Sequence, residues 1–198
     1  MITLPDCPPI RDGAPRYVYF GLDQVPVLGG SQSRISRLGD RWAIDVETYS
    51  ARYADIGKAY LAKLIAGLRE PVSLAFPEPG LGRRSYGAAP VVNLPGASGM
   101  ALPVGGLTPG VLVQDGKFLS VKIAGQGYLY QVTADVVAKI DGTAVLPIQP
   151  MLRVQPPVGA SVEIEKPRID GFIQGNQQDW AVSHSKFLPF RFSIQESD

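Results

Sequence analysis

Alternating apolar and polar residues predict strands in the first part of the chain. Residues 17–22 are rich in aromatic and β-branched side chains, and residues 33–38 and 41–49 flank Gly39-Asp40, which predicts a hairpin tip. The apolar positions that alternate with polar or small ones on the second hairpin strand are Trp42, Ile44 and Val46. This period of two indicates a sheet with one buried face.

A period of three to four predicts one helix over residues 51–68. Its apolar stripe consists of Tyr53, Ile56, Tyr60, Leu61, Leu64 and Leu68. Ser50 is the predicted N-cap, and Gly67 with Pro71 ends the helix. Residues 72–76 then return as a short strand, which the helix can cover.

The pattern changes after residue 77. Residues 78–110 are dense in Pro and Gly and predict a linker or extended loop. The next stretch, to about residue 165, holds five or six short strands with two Asp-Gly turns and no convincing helix, which is typical of a small Greek-key barrel of the OB type. The whole of residues 78–165 is therefore predicted as a linker with an inserted barrel.

The chain end returns to the style of its beginning. Residues 169–173 and 180–182 are predicted strands, and in the last stretch large apolar groups alternate with other residues at Leu188, Phe190, Phe192 and Ile194. Pro189 cannot donate to a ladder, so this strand lies at an edge or begins after it. The four side chains need a partner surface, which predicts one discontinuous domain of residues 1–77 and 166–198.

Composition and charge narrow the class of protein. The chain of 198 residues has 22 glycines and 18 prolines with 45% hydrophobic residues, which favours a mainly β, turn-rich globular protein. A net charge of +1 argues against a dedicated nucleic-acid binder. Residues 1–13 lack the pattern of a signal peptide, no membrane helix is predicted, and the single Cys7 excludes an internal disulfide. A reducing cytoplasm is the simplest compartment.

No catalytic or cofactor site is predicted. His184 is flanked by Ser183 and Ser185, but adjacent strand residues point to opposite faces, so a serine triad is disfavoured. One His and one Cys cannot supply the usual zinc ligands. Gly80-Leu81-Gly82 lacks the third glycine of a dinucleotide fingerprint. We therefore expect a protein that is not an enzyme and that uses no metal or cofactor.

Two basic clusters and two tryptophans are candidates for contacts with other molecules. The clusters are Arg34, Arg37 and Arg41 around the predicted hairpin, and Arg83 with Arg84 in the linker. Their functional interpretation is contact with phosphate or with an acidic neighbouring subunit, and the simpler one is a solvated surface. Trp42 and Trp180 could stack on sugars, but burial in a core or subunit interface is commoner.

Three runs of sequence resemble a known family. The runs are SRLGDRWAIDVE, GLTPGVLVQDGKFLSVKIAGQGYLYQVTADVV and DGTAVLPIQPMLRVQPPVGASVEIEKP. Together with the discontinuous layout, they resemble the distal tail protein of long-tailed, non-contractile bacteriophages that infect Gram-negative hosts. The resemblance implies a tail-tube-like β-sandwich or split barrel with one helix, carrying the inserted OB-like barrel.

The same resemblance implies a structural role at the tail tip, or baseplate, of the virion. It implies a homohexameric ring that joins the tail-tube protein to the tail hub, lets DNA pass as cargo and contacts no membrane, and that is assembled in the host cytoplasm. A ring needs heterologous contacts between unlike patches, and near-zero net charge suits a conduit in which DNA must slide.

Two other functions stay open at the level of sequence. One is a carbohydrate-binding module of a tail or adhesion apparatus, in which Tyr86, Phe118, Tyr128 or Tyr130 of the barrel stack on sugar rings. The other is a tail-tip hydrolase, against which the missing set of nucleophile, base and orienting residue argues.

Overall fold

The protein is mainly β, with one α-helix. The computed structural model describes residues 1–27, 29–35, 37–78, 85–175 and 187–197. The first elements are β1 (Ile2–Thr3), β2 (Ile10–Val18), β3 (Leu22–Gln24), β4 (Ser33–Ile35), β5 (Arg41–Thr48), β6 (Ala51–Arg52), a π-helical turn (Tyr53–Gly57), α1 (Lys58–Ala66) and β7 (Val72–Ala75).

The remaining elements are all strands. They are β8 (Val91–Val92), β9 (Ala101–Gly105), β10 (Leu112–Val113), β11 (Phe118–Ile123), β12 (Gln126–Val132), β13 (Val136–Val137), β14 (Ala144–Gln149), β15 (Ser161–Glu163), β16 (Arg168–Ile173), β17 (Phe187–Leu188) and β18 (Arg191–Glu196).

Strands from both parts of the chain form one six-stranded sheet in the order β1-β7-β16-β18-β5-β2. Only the β1–β7 pair is parallel. All six strands lie within residues 1–77 and 166–198. β18 is a central strand that begins two residues after Pro189, so the proline interrupts no ladder.

The period-two pattern of the sequence corresponds to the buried face of this sheet. Ile44 of β5 lies opposite Ile194 of β18, and Val46 lies opposite Phe192. These four side chains pack in one core with the helix residues Tyr60, Leu61 and Leu64. Alternation therefore identified the residues that hold the chain end against the first half of the chain.

The predicted helix over residues 51–68 is wrong at its N-terminal end. Ala51 and Arg52 form β6, which pairs with β17, and a π-helical turn follows before α1 begins at Lys58. Ser50 is therefore not the N-cap, whereas Gly67 does end the helix. Strand pairing takes the backbone of residues 51–52, so Tyr53 and Ile56 of the predicted stripe remain largely exposed.

The predicted hairpin around Gly39-Asp40 is also wrong. β4 pairs with β3, while β5 pairs with β2 and β18. Gly39 has φ +135°, and a Cβ at this position would lie 3.3 Å from the Phe20 ring. Glycine therefore lets the chain leave β4 and enter the sheet in a new direction, where a tight hairpin would have returned it along β4.

The middle of the chain forms a closed barrel of six strands in the order β11-β12-β14-β9-β8-β15. The expected small barrel is confirmed, with one strand more than the five of an OB-type barrel. Two of its strands, β8 and β9, lie in the stretch predicted as a linker. That prediction is wrong for them because Pro103 within β9 sits opposite Val145 of β14 and is tolerated there.

Strand β12 is buried on both faces, where barrel and sheet meet. Tyr128 and Tyr130 belong to the barrel core, and Leu129 between them packs in the core of the sheet. Lys117 and Glu78 form a buried ion pair at the same junction, and Glu78 also accepts from the amide of Phe118 at 2.9 Å. A strand shared by two cores joins barrel and sheet into one packed unit.

Two buried carboxylates complete the junction. Glu196 of β18 accepts from the amides of Leu129 at 2.7 Å and Trp42 at 2.8 Å and pairs with Arg153 at 2.9 Å. Asp170 of β16 accepts from the amide of Gly127 at 2.7 Å. Burial raises the pKa of Glu196, while Arg153 and the two amides favour the carboxylate. Sheet side chains thus satisfy backbone donors of the barrel strand β12.

Candidate subunit interface

The connection from β2 to β5, residues 19–39, forms an exposed apolar hairpin that we call the arm. β3 and β4 pair only with each other. Large apolar side chains are exposed along its whole length, namely Tyr19, Phe20, Leu22, Val25, Val27, Ile35 and Leu38. Val27 near the tip is 99% exposed. A contiguous series of this kind is typical of a surface that another protein covers.

The base of the arm is fixed to the sheet by Asp40. This carboxylate is buried and accepts from the Tyr17 hydroxyl at 2.8 Å and from the Phe20 amide at 2.7 Å. Partial burial and the neighbouring carboxylate raise the pKa of Tyr17, so its hydroxyl stays a donor at neutral pH. The base of the arm is therefore held in a defined direction.

The structure separates the three predicted interface arginines. Arg34 makes two hydrogen bonds to Asp23 across the β3–β4 pair, at 2.7 and 3.2 Å, and this pairing lowers the pKa of Asp23. Arg41 lies at the base, over the Phe20 ring at 5.1 Å, and Arg37 is exposed. The arm is thus largely apolar, with Asp23 and Arg34 paired to each other. Arg83 and Arg84 lie outside the described residues.

Replacing Asp40 with alanine should loosen the arm. The change removes the acceptor for Tyr17 and Phe20, and the loss of about 1–3 kcal/mol of local stability raises the open fraction by roughly five- to a hundredfold. Trypsin should then cleave after Arg34 or Arg37 faster by a similar factor. Asp23→Ala is the control, since its exposed pair contributes little. Equal cleavage rates in both variants would contradict the bracing role of Asp40.

An apolar groove of about 690 Å³ lies at the other end of β2 from the arm. The N-terminal segment, the first half of β2 and the end of β7 line it together with the edge of the barrel. Its walls are rich in proline and aromatic residues, among them Pro8, Pro9, Pro15, Pro77, Phe76 and Phe118. Two charged lining residues, Asp6 and Arg11, come from the N-terminal part, and Glu78 is already paired with Lys117.

The solvent face of β2, β5 and β18 carries paired charges. Arg16 contacts Asp45 at 2.9 Å and also donates to Ser193 at 3.0 Å. Glu47 pairs with Arg191 at 3.2 Å and with Arg11 at 3.5 Å. Acidic and basic side chains thus neutralise one another across this face.

The three tyrosines that could stack on sugars in the alternative function are not presented to solvent. Tyr86, Tyr128 and Tyr130 are buried, and burial raises the pKa of Tyr130 to about 12. Phe118 packs against Phe76 and Trp42, with ring centroids 4.5 and 5.0 Å away. The three tyrosines therefore offer no open face for a sugar, and Trp42 is a core residue as predicted.

Other predicted site residues are placed as follows. His184 and Trp180 lie outside the described residues. In the part of the chain that the structure describes, no three His, Cys, Asp or Glu side chains are grouped so as to hold a metal ion. The same residues include no helix with the length and hydropathy needed to cross a membrane.

The sequence indicated Arg34 and Arg37 of the arm as possible interface residues, but it did not indicate the apolar side chains around them. Residues 19–38 hold seven large apolar side chains that the structure shows exposed, and five of these lie in the predicted strands 17–22 and 33–38, where such residues fit a sheet. The other two, Val25 and Val27, lie between the predicted strands and indicate a surface segment that a partner covers. Neither the protein-family models nor the curated proteins with which the sequence was compared contain a match to this chain.

Proposed function

We propose that this protein is a structural component of a bacteriophage tail tip, without enzymatic activity. In this proposal it forms a homohexameric ring, with a tail-tube-like body and an outward barrel, between the tail tube and the tail hub in the virion. DNA passes through the ring without being held.

The exposed apolar arm is the observation that carries the proposal. A lone subunit leaves these side chains in water. Covering them would contribute about 0.8 kcal/mol for each methylene that is buried. Asp40 holds the base of the arm, so the arm is exposed while being fixed to the sheet. Assembly with another copy would cover it.

The sheet edge supports the same proposal. β2 has nine residues and, among the described strands, pairs only with β5, so its outer edge can accept another strand. The arm and this edge are unlike surfaces, and contacts between unlike surfaces close into rings when the rotation fits. The resemblance of three sequence runs to distal tail proteins is the reason for proposing a ring rather than another assembly.

The charge pattern suits a conduit. Binding to DNA grows with the number of phosphates that Lys and Arg neutralise. On the solvent face of the sheet, Arg11, Arg16 and Arg191 each lie within 3.5 Å of a carboxylate. A wall built from this face would attract DNA only weakly.

Size-exclusion chromatography with light scattering, followed by negative-stain imaging, tests the proposal. We expect a particle of six chains with a central opening, which joins purified tail-tube protein end to end. Val25→Asp with Val27→Asp should reduce it to monomers, because both side chains are exposed and a charge there leaves the fold intact but opposes burial. The matched control is Ile140→Asp on the barrel, at a site that is 95% exposed. A parent chain that stays monomeric at high concentration would overturn the proposal.

A further inference from the structure

We propose that the arm tip of one copy, centred on Val25, Pro26 and Val27, docks in the proline-lined groove of the next copy. This inference rests on the proposed ring and names the contact that would build it. The occupant of the groove is a second copy of this chain, held head to tail.

The chemistry of tip and groove matches. Residues 25–32 contain no charged side chain, and Val25 and Val27 are exposed. The groove has walls of proline, Phe76 and Phe118, and its volume of about 690 Å³ lies within the usual range for a binding site of roughly 300–1,000 Å³. An uncharged apolar tip can contact these apolar walls and adds no charge of its own to a groove that also holds Asp6, Arg11 and Glu78.

The prolines make the groove a prepared site. Proline has a fixed φ and no N–H, so a wall of prolines loses little conformational freedom on binding and leaves few donors unsatisfied when water is expelled. Pro26 has the same effect in the tip. Because tip and groove both have restricted conformations before they meet, binding costs less conformational entropy and the affinity is higher.

The positions of tip and groove favour a contact between two copies. The groove is lined by β2 from Ile10 to Pro15, whereas the arm leaves β2 after Val18, at its other end. A strand of nine residues spans roughly 30 Å, and Asp40 fixes the direction of the arm at its base. Two unlike patches at opposite ends of one strand give a heterologous contact, which propagates from copy to copy.

The natural Cys7 provides a direct test. It is the only cysteine, it is exposed, and its neighbours Asp6 and Pro8 line the groove. Val27→Cys places a second thiol at the arm tip. With a short bis-maleimide, the full-length variant should give a ladder of covalently linked chains on a denaturing gel.

Three variants make the result specific. Adding Cys7→Ser to Val27→Cys should abolish every band above the dimer, and Ile140→Cys with the natural Cys7 should give no ladder under the same conditions. Ser31→Cys is a second tip probe, in case Val27→Cys impairs assembly. A ladder from either tip probe, dependent on Cys7, supports the docking.

The failures are distinguishable. If light scattering shows the ring but neither tip probe gives a ladder, the docking is wrong and the proposed function stands. If crosslinking joins the two thiols within one chain, the docking between copies is also wrong. If the parent chain does not assemble at high concentration and neither tip variant gives a ladder, both proposals are wrong.

Discussion

Replacing Glu196 with glutamine should lower the free energy of unfolding by about 3–5 kcal/mol. The Glu196 side chain is fully buried and is the carboxylate partner of Arg153, which is itself 6% exposed. Glutamine keeps one accepting oxygen but turns an N–H₂ group toward donors, and it removes the negative charge that lies 2.9 Å from the guanidinium. Urea denaturation should show a lower midpoint with an unchanged slope.

Glu47→Gln is the matched control for this change. Glu47 lies on the neighbouring strand β5 and pairs with Arg11 and Arg191, both more than half exposed, so its loss should cost at most about 1 kcal/mol. Arg153→Met added to Glu196→Gln should recover part of the stability, because the buried guanidinium that lost the Glu196 charge is then removed. Equal losses for Glu196→Gln and Glu47→Gln would refute the role of the buried pair.

The buried carboxylates also explain how a barrel from the middle of the chain is held on a sheet built from its two ends. Glu196 joins β18 to β5 through the Trp42 amide and to β12 through the Leu129 amide. Gly127 allows the neighbouring approach, since a Cβ there would lie 2.8 Å from the Asp170 carboxylate. The Gly127 and Leu129 amides of the barrel strand donate to side chains of the sheet, which fixes the orientation of barrel and sheet.

Much of the fold follows from local patterns in the sequence. Alternation at Ile44, Val46, Phe192 and Ile194 identified two central strands, since a half-buried strand must alternate. The prediction failed where strand pairing overrode local preference. Residues 51–52 match a helix period but join β6, and β8 and β9 lie in a stretch dense in proline and glycine yet pair with each other in the closed barrel.

The interface and the junction were harder to predict. Glu196 continues the buried series of Phe192 and Ile194 at a spacing of two, so its position on the apolar face was readable. Its partner Arg153 lies 43 residues away in another part of the fold, and no local pattern links them. The sequence identified Arg34 as a basic residue that could contact another molecule. Its pairing with Asp23 depends on the β3–β4 register.

Replacing Phe190 with alanine should cost about 3–5 kcal/mol of unfolding free energy. Its ring is completely buried and lies 5.2 Å from that of Tyr60 in the core between sheet and helix. The Phe190 carbonyl accepts from the Thr48 amide at 3.0 Å, and the Phe190 amide donates to the Thr48 hydroxyl at 3.1 Å. Both hydrogen bonds remain possible in the variant, so the loss of stability reports side-chain packing. Thermal and urea unfolding should both show it.

Phe172→Ala is the control, because it deletes the same group from strand β16 at a site that is 42% exposed, where we expect a loss below about 1.5 kcal/mol. Comparing the two variants measures how much the end of the chain contributes to the core that it shares with the first 77 residues. If Phe190→Ala were as mild as Phe172→Ala, the chain end would contribute little to that core. The sheet that presents the arm would then rest on the first 77 residues with β16 alone, and the arm would lack the rigid base that ring assembly requires.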